Sequence, residues 1–178
     1  YGGNPHKLNI DFGIVTHQTQ GDCVKELIEA SYELYSSLLK ENEPVTLVCG
    51  GQSPSYYCLA MMNFKIFDES KVNIVILPHS KYGQKADDQY KENIKYCQRL
   101  KDKNIKLRKN VVILDGVHSG VGILALESAL KHCFSNISVI KIAINASENI
   151  SQIPVDREII VPCEPKFSDT FPRLVTSY

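Results

Sequence analysis

The stretch 110–133, NVVILDGVHSGVGILALESALKHC, carries the clearest structural pattern in the sequence. Its apolar run 111–114 predicts a strand buried on both faces, as in a parallel sheet. A glycine-containing loop follows, and then a predicted amphipathic helix whose apolar stripe is Leu124, Leu126, Ala129 and Leu130. In such a strand–loop–helix unit the loop amides and the positive end of the helix dipole converge on one point, which suits a phosphate group.

The same alternation of strands and helices extends along the chain. Further apolar runs predict strands at 8–16, 45–49, 72–77, 137–144 and 158–161, and helical patterns of ten or more residues separate most of them. This order favours an α/β fold with a doubly wound, mostly parallel sheet flanked by helices. We expect a single domain over residues 1–178, in which 154–178 could form a small C-terminal lobe.

Two helices upstream of that stretch have predictable faces. Asp22 is a good N-cap for a first long helix that runs to about Lys40. Its apolar face is predicted to contain Val24, Leu27, Ile28, Ser31, Tyr35, Leu38 and Leu39. A second helix is predicted over 86–101, with Tyr90, Ile94, Cys97 and Leu100 on its buried stripe.

Composition limits the classes of partner and the compartment. The 20 basic and 20 acidic residues cancel, so no global positive field favours nucleic acid, and no apolar run is long enough to span a membrane. The six cysteines form no C-x-x-C pair and are expected to be buried small hydrophobic residues. We therefore expect a cytoplasmic, reducing environment and a small-molecule partner.

Three polar loops are expected to meet where the parallel strands end, at 50–53, 79–85 and 115–122. In the first, Gly50, Gly51 and Gln52 could expose backbone amides to an anion, although a tight turn without a ligand remains the alternative. The pattern around Ser53 also outlines the nucleophile elbow of serine hydrolases. Pro54 follows that serine and has no N–H for an oxyanion hole, so a hydrolase is disfavoured.

The segment 111–120, VVILDGVHSG, resembles the phosphoribosyl pyrophosphate signature of type I phosphoribosyltransferases. That signature is an apolar strand, two acidic residues, three variable positions and then Thr or Ser followed by Gly. The resemblance extends over about 45–144. It implies a phosphoribosyltransferase-like fold and a glycosyltransferase of nucleotide salvage, which moves phosphoribose from phosphoribosyl pyrophosphate to a base-like acceptor, with Mg²⁺ assisting the departure of pyrophosphate.

The resemblance also implies roles for particular residues. Asp115 matches the second acidic residue, which binds the ribose hydroxyls, and His118 stands where a base acts on the acceptor, so these two are the expected catalytic residues. The phosphate-binding loop would comprise Gly116, Val117, His118, Ser119, Gly120, Val121 and Gly122. The pyrophosphate loop would comprise Gly50, Gly51 and Gln52, and the flexible loop would contribute Lys81, Tyr82 and Lys85.

Two positions depart from the family pattern. Leu114 replaces the first acidic residue, and Gly122 stands where a threonine is usual. Fewer polar side chains are therefore expected to bind the sugar and the metal. No metal site made of protein ligands alone is expected. The alternative function is a non-catalytic regulatory domain that binds a nucleotide or phosphate and keeps the fold. A homodimer is compatible with either function, and Phe167, Phe171 and Tyr178 could stack on an acceptor or belong to the core.

Overall fold

The computed structural model describes residues 18–77, 85–116, 120–144 and 155–159 of the chain. Helices and strands alternate through these ranges. The elements are α1 (Gln18–Leu39), β1 (Val45–Gly50), α2 (Gln52–Met62), β2 (Val72–Leu77), α3 (Ala86–Asp102), β3 (Asn110–Gly116), α4 (Val121–Cys133), β4 (Ser138–Ile144) and β5 (Arg157–Ile159).

The five strands form one sheet in the order β2-β1-β3-β4-β5, and every neighbouring pair is parallel. Helices cover both faces of this sheet, since α1 and α2 pack with one apolar cluster and α3 and α4 with another. The predicted α/β fold with a doubly wound parallel sheet is thus confirmed. The strand order reverses between β1 and β3, and an open α/β sheet binds its ligands at such a switch point.

Side-chain alternation along β3 explains why the apolar run is continuous. Val112 and Leu114 belong to the cluster beneath α1 and α2, whereas Val111 and Ile113 belong to the cluster beneath α3 and α4. The central part of a strand covered on both faces leaves little access to water for a polar side chain. All six residues of β1 are likewise buried.

The predicted strands agree closely with the observed ones. The limits of β2 were predicted without error, β1 is one residue longer than expected, and β4 and β5 begin within a residue of their predicted starts. β5 lies inside the expected C-terminal lobe and is the last of the described strands in the sheet order. The strand predicted at 8–16 lies outside the described residues.

The predicted start of α1 was wrong, whereas its predicted apolar face was right except at two positions. The helix begins at Gln18, so Asp22 lies inside it and is not its N-cap. Ile28 and Leu39 are 42% and 39% exposed, while Leu34, which the prediction omitted, is buried. The sequence of α1 contains two apolar stripes, and the helix buries the one that includes Leu27, Ser31, Leu34, Tyr35 and Leu38.

The stripes predicted for the other helices were largely right. In α4, Leu126, Ala129 and Leu130 are buried, but Leu124 is only half-buried and Ile123 takes its place in the core. In α3, the buried residues are Asn93, Cys97 and Leu100, whereas Tyr90 and Ile94 are half-buried. An asparagine in this stripe was not predicted from the sequence.

Candidate functional site

The candidate site is the edge of the sheet where the strands end. Gly50 is the register partner of Leu77 in β2 and of Asp115 in β3, and Gly116 is the partner of Ile144 in β4. Four strands therefore finish at the same level. After β1 the chain enters α2 on one face, and after β3 it leads to α4 on the other, so the two helices begin on opposite sides of the switch point.

The turn between β1 and α2 requires glycine at its centre. Gly51 has φ 92° and ψ −172°, a combination that a residue with a Cβ adopts only at a large cost. Its N–H donates to the carbonyl of Leu77 at 3.1 Å, and its carbonyl accepts a hydrogen bond of 2.6 Å from the Ser55 hydroxyl. The predicted glycine turn at this position is confirmed. The Gly51 amide, however, donates to the Leu77 carbonyl and is not available to an anion.

Consequently, the amides that this turn can offer an anion belong to the first residues of α2. Gln52 begins the helix, and Pro54 lies in its first turn, where a missing N–H costs nothing. The N-cap is Gly51, which has no side chain to occupy those amides. Of the three residues in the predicted pyrophosphate loop, Gln52 is therefore the one whose backbone amide lies at the start of the helix.

The start of α4 has the same construction on the opposite face. Its N-cap is Gly120, which adopts the left-handed conformation with φ 76° and ψ −11° and accepts a hydrogen bond of 3.2 Å from the Leu124 N–H at its carbonyl. Val121 and Gly122 form the first turn of α4, where backbone N–H groups have no intrahelical partner. Both predicted residues thus lie at a helix start on this edge. Val117, His118 and Ser119 lie outside the described residues.

Asp115 is the carboxylate that β3 brings to this edge. It is 8% exposed, and alternation along β3 places it on the α3 and α4 side, beside Gly50 and Ala143 in register. Burial raises the pKa of the carboxyl to about 7, and a hydrogen bond from the Gly116 amide opposes this rise. Asp115 therefore exchanges its proton near neutrality, which suits a group that binds hydroxyls or transfers protons.

Leu114 contributes nothing to the edge. Its side chain is completely buried in the apolar cluster beneath α1 and α2, on the face of the sheet opposite Asp115. The position that matches the first acidic residue of the phosphoribosyltransferase signature is a core position in this chain. A carboxylate here would be desolvated by its apolar neighbours.

The start of α3 borders the same edge. Lys85 is exposed and extended and immediately precedes the helix, whereas Lys81 and Tyr82 lie outside the described residues. Asp87 and Asp88 are both exposed in the first turn of α3, where the helix dipole favours negative charge. The predicted start of this helix at residue 86 is confirmed.

In the described ranges, no group of three or more His, Cys, Asp and Glu side chains could hold a metal ion. The thiols of Cys49, Cys58, Cys97 and Cys133 are free and buried, which confirms the prediction for these four residues. Burial raises the pKa of Cys97 to about 12 and that of Cys58 well above its usual range. These two thiols are therefore protonated at neutral pH and are poor nucleophiles.

Two polar residues of structural importance, Ser55 and Asn93, were not identified from the sequence. Ser55 fixes the Gly51 carbonyl, and the thiol of Cys49 lies 3.8 Å from its hydroxyl oxygen. A serine four residues after a turn glycine, at the start of a helix, could have indicated this contact. Asn93 is fully buried, and neither polar atom of its amide has a hydrogen-bond partner among the described residues. The one sequence signal for the burial of Asn93 is its position four residues before Cys97, on the buried stripe of α3.

None of the helices in the described ranges combines the length and the apolar character needed to cross a bilayer. Comparison with known proteins finds no protein-family model that matches the chain and no curated protein with a matching sequence.

Proposed function

We propose that this protein binds a phosphorylated ribose compound, phosphoribosyl pyrophosphate or a nucleoside monophosphate, at the carboxyl edge of the sheet between β1 and β3. The observation that supports this most strongly is the pair of glycine-capped helix starts at Gly51 and Gly120, on opposite sides of the switch point. Each start offers backbone N–H groups and the positive end of a helix dipole. These two anion sites follow the neighbouring strands β1 and β3, so they suit a ligand with phosphate at both ends.

Asp115 is a polar group at the same edge of the sheet as these two helix starts. With a pKa of about 7, its carboxyl exists both as an acceptor and as a donor at neutral pH, so it can bind either hydroxyl of a ribose ring. The ring would then be held by Asp115, while its phosphates occupy the starts of α2 and α4. This assignment is the one that the resemblance implies for Asp115.

If the protein is an enzyme, the reaction is displacement of pyrophosphate from the anomeric carbon by the nitrogen of a base-like acceptor. The contribution of the chain is positioning and electrostatic stabilisation. Amides at the start of α2 would stabilise the departing pyrophosphate, and Asp115 would hold the ribose. His118 is the residue proposed to accept a proton from the acceptor, by resemblance alone.

Mg²⁺ would bind at this site together with the ligand. Mg²⁺ is commonly bound through one or two carboxylates together with substrate phosphates and water. Asp115 could supply one carboxylate, and a bound cation would favour its ionised form because opposite charge lowers the pKa of a carboxyl. When bound, the metal would neutralise charge on the pyrophosphate.

A second candidate is a non-catalytic domain that binds a nucleotide or phosphate for regulation. Two observations favour it. Leu114 lies in the core and leaves Asp115 as the one acidic side chain in this motif, and the Gly51 amide is used by the Leu77 carbonyl. Both reduce the interactions available to a reacting pyrophosphate while the starts of α2 and α4 remain.

Isothermal titration with phosphoribosyl pyrophosphate, with and without Mg²⁺, tests the binding proposal. We expect saturable binding that Mg²⁺ strengthens and that Asp115→Asn weakens about tenfold, since one hydrogen bond to a charged group contributes on the order of 1.5 kcal/mol. The matched control is Ser128→Ala, on the exposed side of α4. An absence of heat at millimolar ligand would refute both functions. Release of pyrophosphate with one of a panel of bases would distinguish the enzyme from the binding domain.

A further inference from the structure

We propose that the protein forms a two-fold dimer in which α1 packs against α1 of a second copy in antiparallel orientation. The contact surface is an apolar group beside α1, which we call the α1 patch and define as Ile28, Tyr32, Leu39, Phe64 and Ile66. The inference uses residues outside the candidate site and does not rest on the proposed function.

Exposed apolar surface is concentrated at this patch. Four large hydrophobic side chains are exposed in the part of the chain that the structure describes, and all four belong to the α1 patch. Ile66 and Tyr32 have the highest exposed fractions among them, 54% and 51%. Single exposed apolar residues are common on a protein surface, whereas a contiguous group of them marks an interaction site.

The patch is continuous because two segments of the chain meet there. Its three α1 residues follow one another at intervals of four and seven, so they share one side of the helix. The ring of Tyr32 contacts that of Phe64, with 5.9 Å between centroids and an interplanar angle of 70°. The Tyr35 hydroxyl donates to the Ile66 carbonyl at 2.9 Å, which holds the segment after α2 against α1.

The spacing of the apolar positions on this side of α1 is the same in both directions. Residues 28, 32, 35 and 39 follow at intervals of four, three and four, which is the heptad spacing of helices that pair with other helices. When a second α1 lies antiparallel, Ile28 of each copy comes opposite Leu39 of the other. Tyr35 is buried, so the segment 64–66 packed beside it would contact the second helix at that level. A two-fold interface requires a surface that complements itself in this way.

The charges beside the patch also suit a second copy. The exposed charged residues between positions 25 and 40 are balanced in sign and are Lys25, Glu29, Glu33 and Lys40. Antiparallel pairing brings the same flank of each helix together and places Glu29 within two residues of the level of Lys40 of the second copy. Glu29 is 3.8 Å from Lys25, so its carboxylate would lie between two amines. Glu33 is turned about 100° from the preceding stripe residue and stays in water.

The size of the patch sets the strength of the dimer. α1 has 22 residues and is therefore about 33 Å long. A contact between two single helices is smaller than the roughly 1,600 Å² that a standard interface buries. We therefore expect reversible association with a dissociation constant in the micromolar range. The balanced charge gives no preference for a strongly acidic or basic partner.

Sedimentation velocity of the full chain, from micromolar to near-millimolar concentration, tests the proposal. We expect a reversible doubling of mass that Tyr32→Glu weakens at least tenfold, because the substitution places a carboxylate in the apolar contact. Gln98→Glu adds the same charge at an exposed position of α3 and should leave the association unchanged. Circular dichroism checks that both variants are folded.

The antiparallel orientation is tested by exchanging charges. Glu29→Lys and Lys40→Glu should each weaken the dimer a few-fold, and the double variant should recover the original association. The two positions are 11 residues apart, about 16 Å along one helix, so the recovery can come only from pairing between copies. The effect of each single variant should diminish at high salt.

Four outcomes would overturn the proposal. They are a monomer at every concentration, a dimer that Tyr32→Glu leaves unchanged, a double charge variant that does not recover, and binding of the monomer to neutral phosphatidylcholine vesicles that Tyr32→Glu abolishes. The last result would assign the α1 patch to a membrane surface instead of a second copy.

Discussion

Leu114 and Asp115 are consecutive in β3, yet their side chains project to opposite faces of the sheet. Leu114 is completely buried beneath α1 and α2, and Asp115 lies on the side of α3 and α4 at 8% exposure. A pair of adjacent acidic residues at these positions would place one carboxylate in the apolar core. The geometry of the strand thus gives a physical reason for a leucine at this point of the motif.

We expect Leu114→Asp to destabilise the fold instead of restoring a family-like site. The substitution removes apolar packing and buries a carboxyl without a partner, so the loss in unfolding free energy should be on the order of 3–5 kcal/mol. Urea denaturation measures this loss. Leu114→Met, which nearly conserves volume, should cost less than about 1.5 kcal/mol. A folded Leu114→Asp protein with tighter Mg²⁺-dependent binding would contradict the core assignment.

The buried carboxyl of Asp115 should make stability depend on pH. Its pKa is about 7 in the folded protein and near its ordinary value when unfolded, so the unfolded chain loses this proton first as pH rises. The free energy of unfolding should therefore fall between about pH 4 and 7 and level off above the folded pKa. At pH 8, Asp115→Asn should recover up to about 4 kcal/mol, at 1.36 kcal/mol per pKa unit. Denaturation curves of both proteins across this range provide the measurement.

Two glycines of the candidate site should respond in opposite ways to alanine. Gly51→Ala introduces a Cβ at φ 92° and ψ −172° and should cost about 1–3 kcal/mol. Gly122 lies inside α4, so Gly122→Ala should stabilise the helix by up to about 1 kcal/mol. Thermal denaturation of the two variants tests this contrast, and equal effects would argue against the turn geometry at Gly51.

Asn93 should be a position where polarity reduces stability. Within the part of the chain that the structure describes, its buried amide has no hydrogen-bond partner, so replacing it with a side chain of similar size removes a desolvation cost. We expect Asn93→Leu to raise the free energy of unfolding by about 1–3 kcal/mol in urea titrations. Gln98→Leu, at an exposed position of the same helix, serves as the control and should change little. A loss of stability in Asn93→Leu would mean that the amide is hydrated or bound in solution.

Strand positions could be predicted from the sequence because burial on both faces leaves a distinctive pattern. β1, β2 and β3 are predominantly apolar, and their limits were found to within one or two residues. The glycine turns after β1 and β3 were also predictable, since Gly51 and Gly120 adopt conformations that other residues avoid. The edge that holds the candidate site followed from the parallel order of the strands.

Tertiary packing accounts for the errors. α1 carries two apolar stripes, and only contact with α2 and the sheet determines that Leu34 is buried while Ile28 and Leu39 stay exposed. The phosphoribosyltransferase motif assigns the position of Leu114 to the site. A sequence motif contains no information about which face of the sheet a side chain occupies, so this error could not be avoided from the motif. The use of the Gly51 amide by Leu77 depends on the pairing of β2, which local sequence does not contain.

The strand order has a consequence for synthesis of the chain. β1 is central, and it pairs with β2 on one side but with the later strand β3 on the other. A nascent chain that ends before residue 110 therefore carries β1 with an apolar, unpaired edge, which is the kind of edge that associates with other chains. Ribosomes that pause within α3 would prolong this exposure, and a chaperone that shields β1 until β3 emerges would raise the yield of folded protein.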